Sequence, residues 1–542
     1  MIRYNSGGQG NKDHPENEVH NMTKKHPLKK LPIGIQTFSE IREENYVYVD
    51  KTGIALDLIE NGKYYFLSRP RRFGKSLFVD TLKNIFEGQK ELFKGLAIED
   101  KWDWNQKNSV ISLTFAADVL QSKEDLAESI HDQLSRNCRQ LDITTENQRP
   151  ALRFQELIEK VHEATGQKVV VLVDEYDKPI LDNITNPEIA VQMREGLKGL
   201  YSVIKARDAD IQFVFITGVS KFSKVSIFSG LNNLQDITLS PKYGTLCGYT
   251  QNDLEREFKD HLIDCNLEKI KQWYNGYNWL GKPVYNPFDI LLFLSNEKDY
   301  SNYWFETGTP TFLIDLIEAN RYYLPSIEKI KASNELIGSF DIDHIKIETL
   351  LFQAGYLTIK SKRRIGDKWQ YLLKYPNKEV KNSLTDYLLT RLCHNSSTKE
   401  DIQGDLYEAL TEKDLNALKV IFHSFFASIP HDWYRKNNLA GYEGYYASIF
   451  YCYFASLGLD VTPEDTTNHG RIDMTLKMED TIFIFEFKVV ELVKEENSAL
   501  EQIKAKRYHE KYETSGEVYL VGVEFSKEDR NIVGYEWEKY RP

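Results

Sequence analysis

Val169-Val170-Val171-Leu172-Val173-Asp174-Glu175 decides the fold of the first half of the chain. Five consecutive β-branched or Leu residues leave no polar face, so the run predicts a strand buried on both sides, as in a parallel sheet. It stops on two acids at its carboxyl end. Working outward, Tyr64-Tyr65-Phe66-Leu67 is a second apolar strand. Ile111, Leu113 and Phe115 alternate with Ser112 and Thr114 at period two, and Ile211, Phe213 and Phe215 run into Ile216-Thr217-Gly218. Helical segments separate these runs, among them the pattern Leu77-Phe78, Thr81-Leu82, Ile85-Phe86. Strands alternating with helices predict a doubly wound parallel α/β domain that ends near residue 240.

Between the Tyr64 strand and the Leu77 helix lies Arg69-Pro70-Arg71-Arg72-Phe73-Gly74-Lys75-Ser76. A phosphate-binding loop needs Gly for close backbone approach, Lys to reach the β- and γ-phosphates, and Ser or Thr on Mg²⁺. The helix that begins near Ser76 points its positive end at the same anion. Arg69 stands where the G-x-x-x-x-G-K-[ST] pattern has its first Gly, so the tripeptide alone is a weak signal. The acids strengthen it: Asp174 can complete the Mg²⁺ shell, and Glu175 can activate the attacking water. The plain reading of those acids is an acidic turn after a buried strand. Thr217 and Ser220 follow the next strand and are candidates for the γ-phosphate or its water, or an ordinary polar turn. Arg69, Arg71 and Arg72 either act as arginine fingers, in cis or from a neighbouring subunit, or hold the loop by pairing with Asp174, Glu175 or Asp177.

At about 150 residues per domain, 542 residues imply three or four domains. Apolar content of 41% excludes a disordered chain, and no run approaches the ~18 apolar residues of a spanning helix. The N-terminus lacks an apolar signal region, and the five cysteines are odd in number and scattered, which together predict a reducing, cytoplasmic setting. A net charge of −12 argues against indiscriminate coating of nucleic acid but not against a local basic groove. Residues 1–30 are too polar to fold and are expected to be disordered. The expected divisions are an ATPase-type domain over 31–240, a helical lid over 241–335, a winged-helix-like connector over 336–400 and a final α/β domain over 401–542. The connector is expected from a helix over 347–353, the strand Gly355–Ile359, a charged turn over 360–368, Tyr371-Leu372-Leu373 and a helix from Asn377. Its Lys360, Lys362, Arg363, Arg364 and Lys368 either track DNA phosphates or form a solvated turn.

A second constellation lies near the C-terminus. Asn468–Leu476 and Thr481–Lys488 predict a hairpin with its turn over 477–480. Period two puts Glu486 and Lys488 on one face, and Asp473 needs only to lie opposite them. Two carboxylates suit Mg²⁺ or Mn²⁺, and a neighbouring Lys can orient water or offset transition-state charge. Glu486 and Lys488 interrupt an otherwise buried run, where charge is costly unless paired or bound to metal; a structural ion pair is the plain alternative. Glu443 opens an aromatic helix, Tyr442–Leu457, and is either a further metal ligand or an acid complementing the helix dipole. Gln502 and Lys506 share a helix face, with Tyr508 nearby; they are candidates for substrate contact or members of a solvated face.

Leu31-Pro32-Ile33-Gly34-Ile35-Gln36, Tyr46-Val47-Tyr48-Val49-Asp50-Lys51-Thr52, the Arg-Pro-Arg-Arg-Phe-Gly-Lys-Ser loop and Val173-Asp174-Glu175-Tyr176-Asp177-Lys178-Pro179 together resemble the AAA-ATPase-like family. In that family the Arg-containing loop is the usual Walker A form, so Arg69 is a family feature. The resemblance implies ATP and Mg²⁺ held by Arg71, Arg72, Phe73, Gly74, Lys75, Ser76, Asp174 and Thr217. Asp473 and Glu486-x-Lys488 resemble the core of the PD-(D/E)XK nuclease superfamily, whose domain commonly ends such chains. This implies a restriction-endonuclease-like fold, Asp473, Glu486 and Lys488 as catalytic residues with Glu175 in the ATPase, a metal held by Asp473, Glu486 and Glu443, and substrate contact from Gln502, Lys506 and Tyr508. The reading is an ATP-governed, Mg²⁺-dependent nuclease acting on DNA, with RNA the second candidate, no membrane partner and a homo-oligomer as one arrangement. A role against foreign DNA is a further expectation. The competing readings are a regulator that binds without cutting and a nucleotide-switched oligomeric scaffold.

Overall fold

The computed structural model describes residues 28–117, 119–221, 227–228, 231–305, 313–314, 316–317, 320, 322–338, 346–393, 396–429, 443–490 and 498–540. Most of the expected disordered tail, residues 1–27, lies outside the described residues. Five strands make the first sheet: β1 (Tyr64–Ser68), β2 (Val110–Thr114), β3 (Val169–Asp174), β4 (Ile211–Gly218) and β5 (Gln235–Asp236). All are parallel, in the order β2-β3-β4-β1-β5. Every residue of β3 is buried, as its uniform apolar run requires. The strand β4 separates β1 from β3, so the loop after β1 and the acids after β3 open on the same carboxyl edge of the sheet. β5 has no apolar run and is fixed by pairing with Tyr65 and Phe66.

The middle of the chain is helical, with Gln251–Glu257, Leu267–Tyr274 and Pro287–Ser295. A small antiparallel sheet follows: β6 (Lys331–Ser333), β7 (Thr358–Ile365) and β8 (Lys368–Lys374), in the order β6-β8-β7. Two features differ from expectation. β6 falls in the stretch read as lid, because a three-residue Lys-Ala-Ser strand exists only through its bonds to β8. The charged stretch read as a turn is mostly strand, and the turn narrows to Gly366-Asp367. The helix Ile347–Ala354 ends at Gly355, whose φ of +97° and contact with Pro70 leave no room for a Cβ: one added there would lie 2.8 Å from the proline.

The C-terminal sheet is mixed: β9 (Asp460–Thr466), β10 (Arg471–Met478), β11 (Thr481–Val490), β12 (Glu517–Ser526) and β13 (Ile532–Tyr540), in the order β13-β12-β11-β10-β9. Two of these strands, β9 and β13, escape the sequence reading. One face packs on the aromatic helix Glu443–Ser456, where Phe450 meets Phe485 and Phe487. Ile482 and Ile484 of the opposite face pack with Ile503 of the helix Ala499–Ala505. The helix Lys378–Cys393 lies along the aromatic helix and joins the small sheet to this domain. One contiguous apolar core runs from Phe38 to Tyr535 through all three sheets. Among the described residues no helix is long and apolar enough to cross a membrane.

Candidate functional site

The loop after β1 turns because Arg72 and Gly74 take left-handed backbone, with φ of +69° and +87°. Gly74 caps the helix Lys75–Phe86, so backbone N–H groups of the first helical turn face the loop's concavity. Lys75 is buried, and its Nζ donates to the Pro70 carbonyl at 3.0 Å, which folds the ammonium across the loop. Arg71 through Phe78, Glu175 and Lys178 line a cavity of about 440 Å³, within the range of small-molecule sites. Glu175 has φ of +51°, a backbone conformation a non-Gly residue holds only where its surroundings impose it. Its N–H donates to Asp174 Oδ1 at 3.0 Å. Burial pushes the Glu175 carboxyl up, while the charges of Lys75 and Arg71 pull it down. A glycine-turned loop, a buried ammonium, a helix start and paired acids suit a nucleotide phosphate with a hard cation.

The three arginines do not act as a cluster. Arg69 is fully buried with its guanidinium 4.2 Å from the Trp279 ring, donating to the carbonyls of Ser68 and Thr238. It is a structural strut, neither a finger nor a partner of the acids. Asp177 instead accepts from Val219 N, Ser220 N and Ser220 Oγ, so Ser220 is absorbed into a turn. Arg71 and Arg72 are exposed; the Arg72 guanidinium sits 4.5 Å from the Phe288 ring, and the Arg71 carbonyl accepts from the Trp304 indole. Phe73 turns its ring into the core between Tyr277 and Trp279, leaving its backbone to the loop. Thr217 is completely buried, and its Oγ1 has no hydrogen-bond partner among the described residues. The sequence reading missed the far wall of the cavity, built by Ile35, Tyr48, Val49, Tyr249, Phe288 and Leu291. Only contacts between segments distant in sequence could have revealed it.

In the C-terminal domain the β10–β11 register pairs Met474 with Phe485, and continuing it sets Asp473 beside Glu486. Asp473 Oδ2 accepts from Phe487 N at 2.8 Å. Glu486 is 2% exposed; its Oε1 accepts from the Gln502 amide, and its Oε2 has no partner among the described residues. Burial raises both carboxyls well above their usual range, and Asp473 raises Glu486 further. An orphaned buried oxygen beside a second raised acid is the chemistry a hard divalent cation would relieve. Lys488 follows on the same face, and its charge lowers the Glu443 carboxyl that partial burial raises. Glu443 stays at the exposed start of the aromatic helix, and among the described residues no group of three His, Cys, Asp or Glu is gathered to hold an ion. The expected three-acid set is thus a close pair with a third charge nearby. Tyr508 is buried and donates to the Arg471 carbonyl at 2.9 Å, which fixes β10 next to Asp473, whereas Lys506 is exposed just past the helix end.

A second acid pair lies between these two places. Asp289 and Glu379 are both 0% exposed, and Glu379 Oε1 accepts from Trp304 N at 2.7 Å. Burial and the neighbouring Glu379 raise Asp289 well above the carboxylate range, which favours its protonated form. Asp289 sits on the helix whose Phe288 and Leu291 line the cavity beside Lys75, and Glu379 lies in the first turn of the helix that packs on the aromatic helix. No local pattern marks either acid.

Residues 32–228 match the family model described as "Predicted AAA-ATPase", and residues 441–535 match the "PD-(D/E)XK nuclease superfamily". A protein of Azotobacter chroococcum mcd 1, "Uncharacterized protein in vnfD 5'region", is 52% identical over 509 residues, covering 94% of this chain and 98% of that protein.

Proposed function

The chain belongs to the AAA-ATPase-like family with a C-terminal PD-(D/E)XK nuclease-superfamily domain, and from that premise we propose that it is an ATP-hydrolysing protein whose ATPase domain governs a Mg²⁺-dependent DNA nuclease. The observation that carries the nuclease half is the buried Asp473–Glu486 pair with its orphaned Glu486 Oε2 and Lys488 alongside. Asp473 and Glu486 would hold Mg²⁺ or Mn²⁺, which supplies positive charge at the scissile phosphate when bound. Phe487 N fixes one oxygen of Asp473, and Gln502 fixes one of Glu486, leaving the others to face the ion. Lys488 orients the attacking water or offsets charge on the phosphate.

In the other half, Lys75 and the N–H groups of the Gly74 turn would bind the nucleotide phosphates, with Ser76 and Asp174 on its Mg²⁺. Glu175, held in its strained backbone and flanked by Lys75 and Arg71, accepts the proton of the hydrolytic water. The divisions 31–240, 241–335, 336–400 and 401–542 are proposed as the units of this arrangement, with the start of β6 shifting the connector back to about 331. The test is cleavage of linear, circular and single-stranded DNA with Mg²⁺, with and without ATP, by wild type, Asp473→Ala and Lys75→Ala. Cutting lost in Asp473→Ala and altered in Lys75→Ala is expected. ATP hydrolysis with no cutting of DNA or RNA by wild type would replace the nuclease with a non-cleaving regulator.

A further inference from the structure

We propose that the hairpin of β7 and β8 is a docking arm for double-stranded DNA, entering a groove between the two phosphate strands. The inference rests on the nuclease reading above and adds the surface that would deliver substrate to it. The chain carries a net charge of −12, yet Lys360, Lys362, Arg363, Arg364 and Lys368 are all exposed on this one hairpin. The single acid among them, Asp367, is taken by Arg364 at 3.3 Å.

Register decides where the charges point. Lys362 pairs with Tyr371 and Arg364 with Trp369, while Arg363 pairs with Gln370 and Ile365 with Lys368. Lys362 and Arg364 therefore occupy one face, with Lys362 Nζ 4.1 Å from the Trp369 ring, and Arg363 and Lys368 occupy the other. β6 reaches β8 only at Gln370 to Leu372, so beyond that point the arm is a free two-stranded ribbon. A ribbon of this kind fits the major groove, which is about 12 Å wide. Cations on both faces then meet both flanking phosphate strands, which a single strand or a one-sided acidic peptide would not require.

Edge protection is the competing account of a Lys/Arg-rich edge strand. It calls for charge along the open edges of the ribbon and for no large apolar side chain left exposed among them. Here Ile365 and Trp369 are left 50% and 40% exposed at the tip, an arrangement that serves contact with bases and works against edge protection. The arm is also framed to the nuclease. Just before β6, Lys329 Nζ donates to the carbonyls of Pro463 and Glu464 on β9, at 3.0 and 2.8 Å. β9 pairs with β10, which carries Asp473.

The experiment is fluorescence anisotropy of the full chain with a 30-base-pair duplex in EDTA across a salt series, with single-stranded DNA, duplex RNA and an acidic peptide as parallel probes. Wild type is compared with Lys362→Ala/Arg364→Ala, Arg363→Ala/Lys368→Ala and the remote control Lys419→Ala; unchanged circular dichroism and ATP binding verify folding. Each arm variant is expected to bind duplex DNA about tenfold more weakly, irrespective of sequence, with the slope of log K against log salt reduced by about 2. The control is expected to bind like wild type. Duplex binding equal to wild type in both arm variants overturns the proposal, as does wild-type preference for any other probe or no binding at all. Mg²⁺-dependent cleavage is scored separately. If the arm variants lose binding while wild type cuts nothing, the docking arm stands and the nuclease reading falls. If wild type cuts and binding is unmoved by the arm variants, the reverse holds.

Discussion

Asp473 with Glu486 and Asp289 with Glu379 are both pairs of acids withdrawn from water, and they differ in what reaches them. The first pair lies across two neighbouring strands beside the half-buried Lys488, with the charge of Glu443 close by at an exposed helix start. The second is fully buried among Tyr274, Tyr277 and the Trp304 N–H. Burying one ionised carboxyl costs several kcal/mol, so each pair must neutralise charge by some route. In the second pair, burial and the neighbouring Glu379 favour the protonated form of Asp289. On the proposed reading the first exchanges protons for a cation and serves catalysis, whereas the second holds elements together.

The largest expected effect separates the pairs by function. Asp473→Ala should lower Mg²⁺-dependent cleavage by about 10³-fold or more, since removing a metal ligand forfeits several kcal/mol of transition-state stabilisation. Asp289→Asn should leave the cleavage rate per folded molecule within a fewfold of wild type. Rates measured at matched folded concentration decide it, and equal losses in both variants would erase the distinction. Glu175 is an intermediate case, an acid raised by burial but held between cations and open to the cavity. Glu175→Gln should cut ATP hydrolysis on the order of 10²-fold while leaving ATP affinity nearly unchanged, because a general base contributes to turnover and little to ground-state binding. Filter binding and phosphate release, measured on the same preparation, separate the two.

The next effect reads the sealed proton directly. In the folded chain the pair binds a proton that the unfolded chain releases near the ordinary carboxylate pKa of about 4. Above that pH the native state holds the extra proton, so stability is fullest at low pH and is lost as pH rises toward the folded value. The loss approaches about 1.4 kcal/mol per pH unit for one proton. Asp289→Asn removes the titration and lets the new amide donate to Glu379, so denaturant midpoints should fall less steeply between pH 5 and 8. Parallel pH profiles for variant and wild type would mean the pair holds no proton.

These contrasts also mark how far the chain could be read unaided. β1, β3 and β4 were legible because continuous apolar runs of four or five residues have few structures open to them. Glu486 and Lys488 stood out because charge interrupts such a run, and Asp473 because the expected hairpin could set it opposite them. β5 and β6 were not, since two or three polar residues become strand only when a partner supplies the ladder. Arg69 was misjudged for the same reason: its direction is set by Trp279, far along the chain. Asp289 and Glu379 each look like first-turn helix acids, and only the packing of two helices turns them into a pair.

The smallest effect tests whether the catalytic pair is as open as its geometry implies. Gln502 donates to Glu486 Oε1. On the proposed reading it is a positioning residue that holds Oε1 and leaves Oε2 for the ion. Gln502→Ala loses one hydrogen bond to a carboxylate, worth about 1.5–3 kcal/mol at most and partly replaceable by water at this half-exposed edge. Cleavage should therefore fall only about tenfold at saturating Mg²⁺, and the Mg²⁺ concentration for half-maximal rate should rise. Gln502→Glu places a third carboxyl against a pair already crowded with negative charge, so it should raise that concentration too unless the new acid joins the ion. A Mg²⁺ titration of wild type and both variants distinguishes these. A loss in Gln502→Ala as deep as that of Asp473→Ala, with no change in Mg²⁺ dependence, would place Gln502 at the reacting phosphate instead.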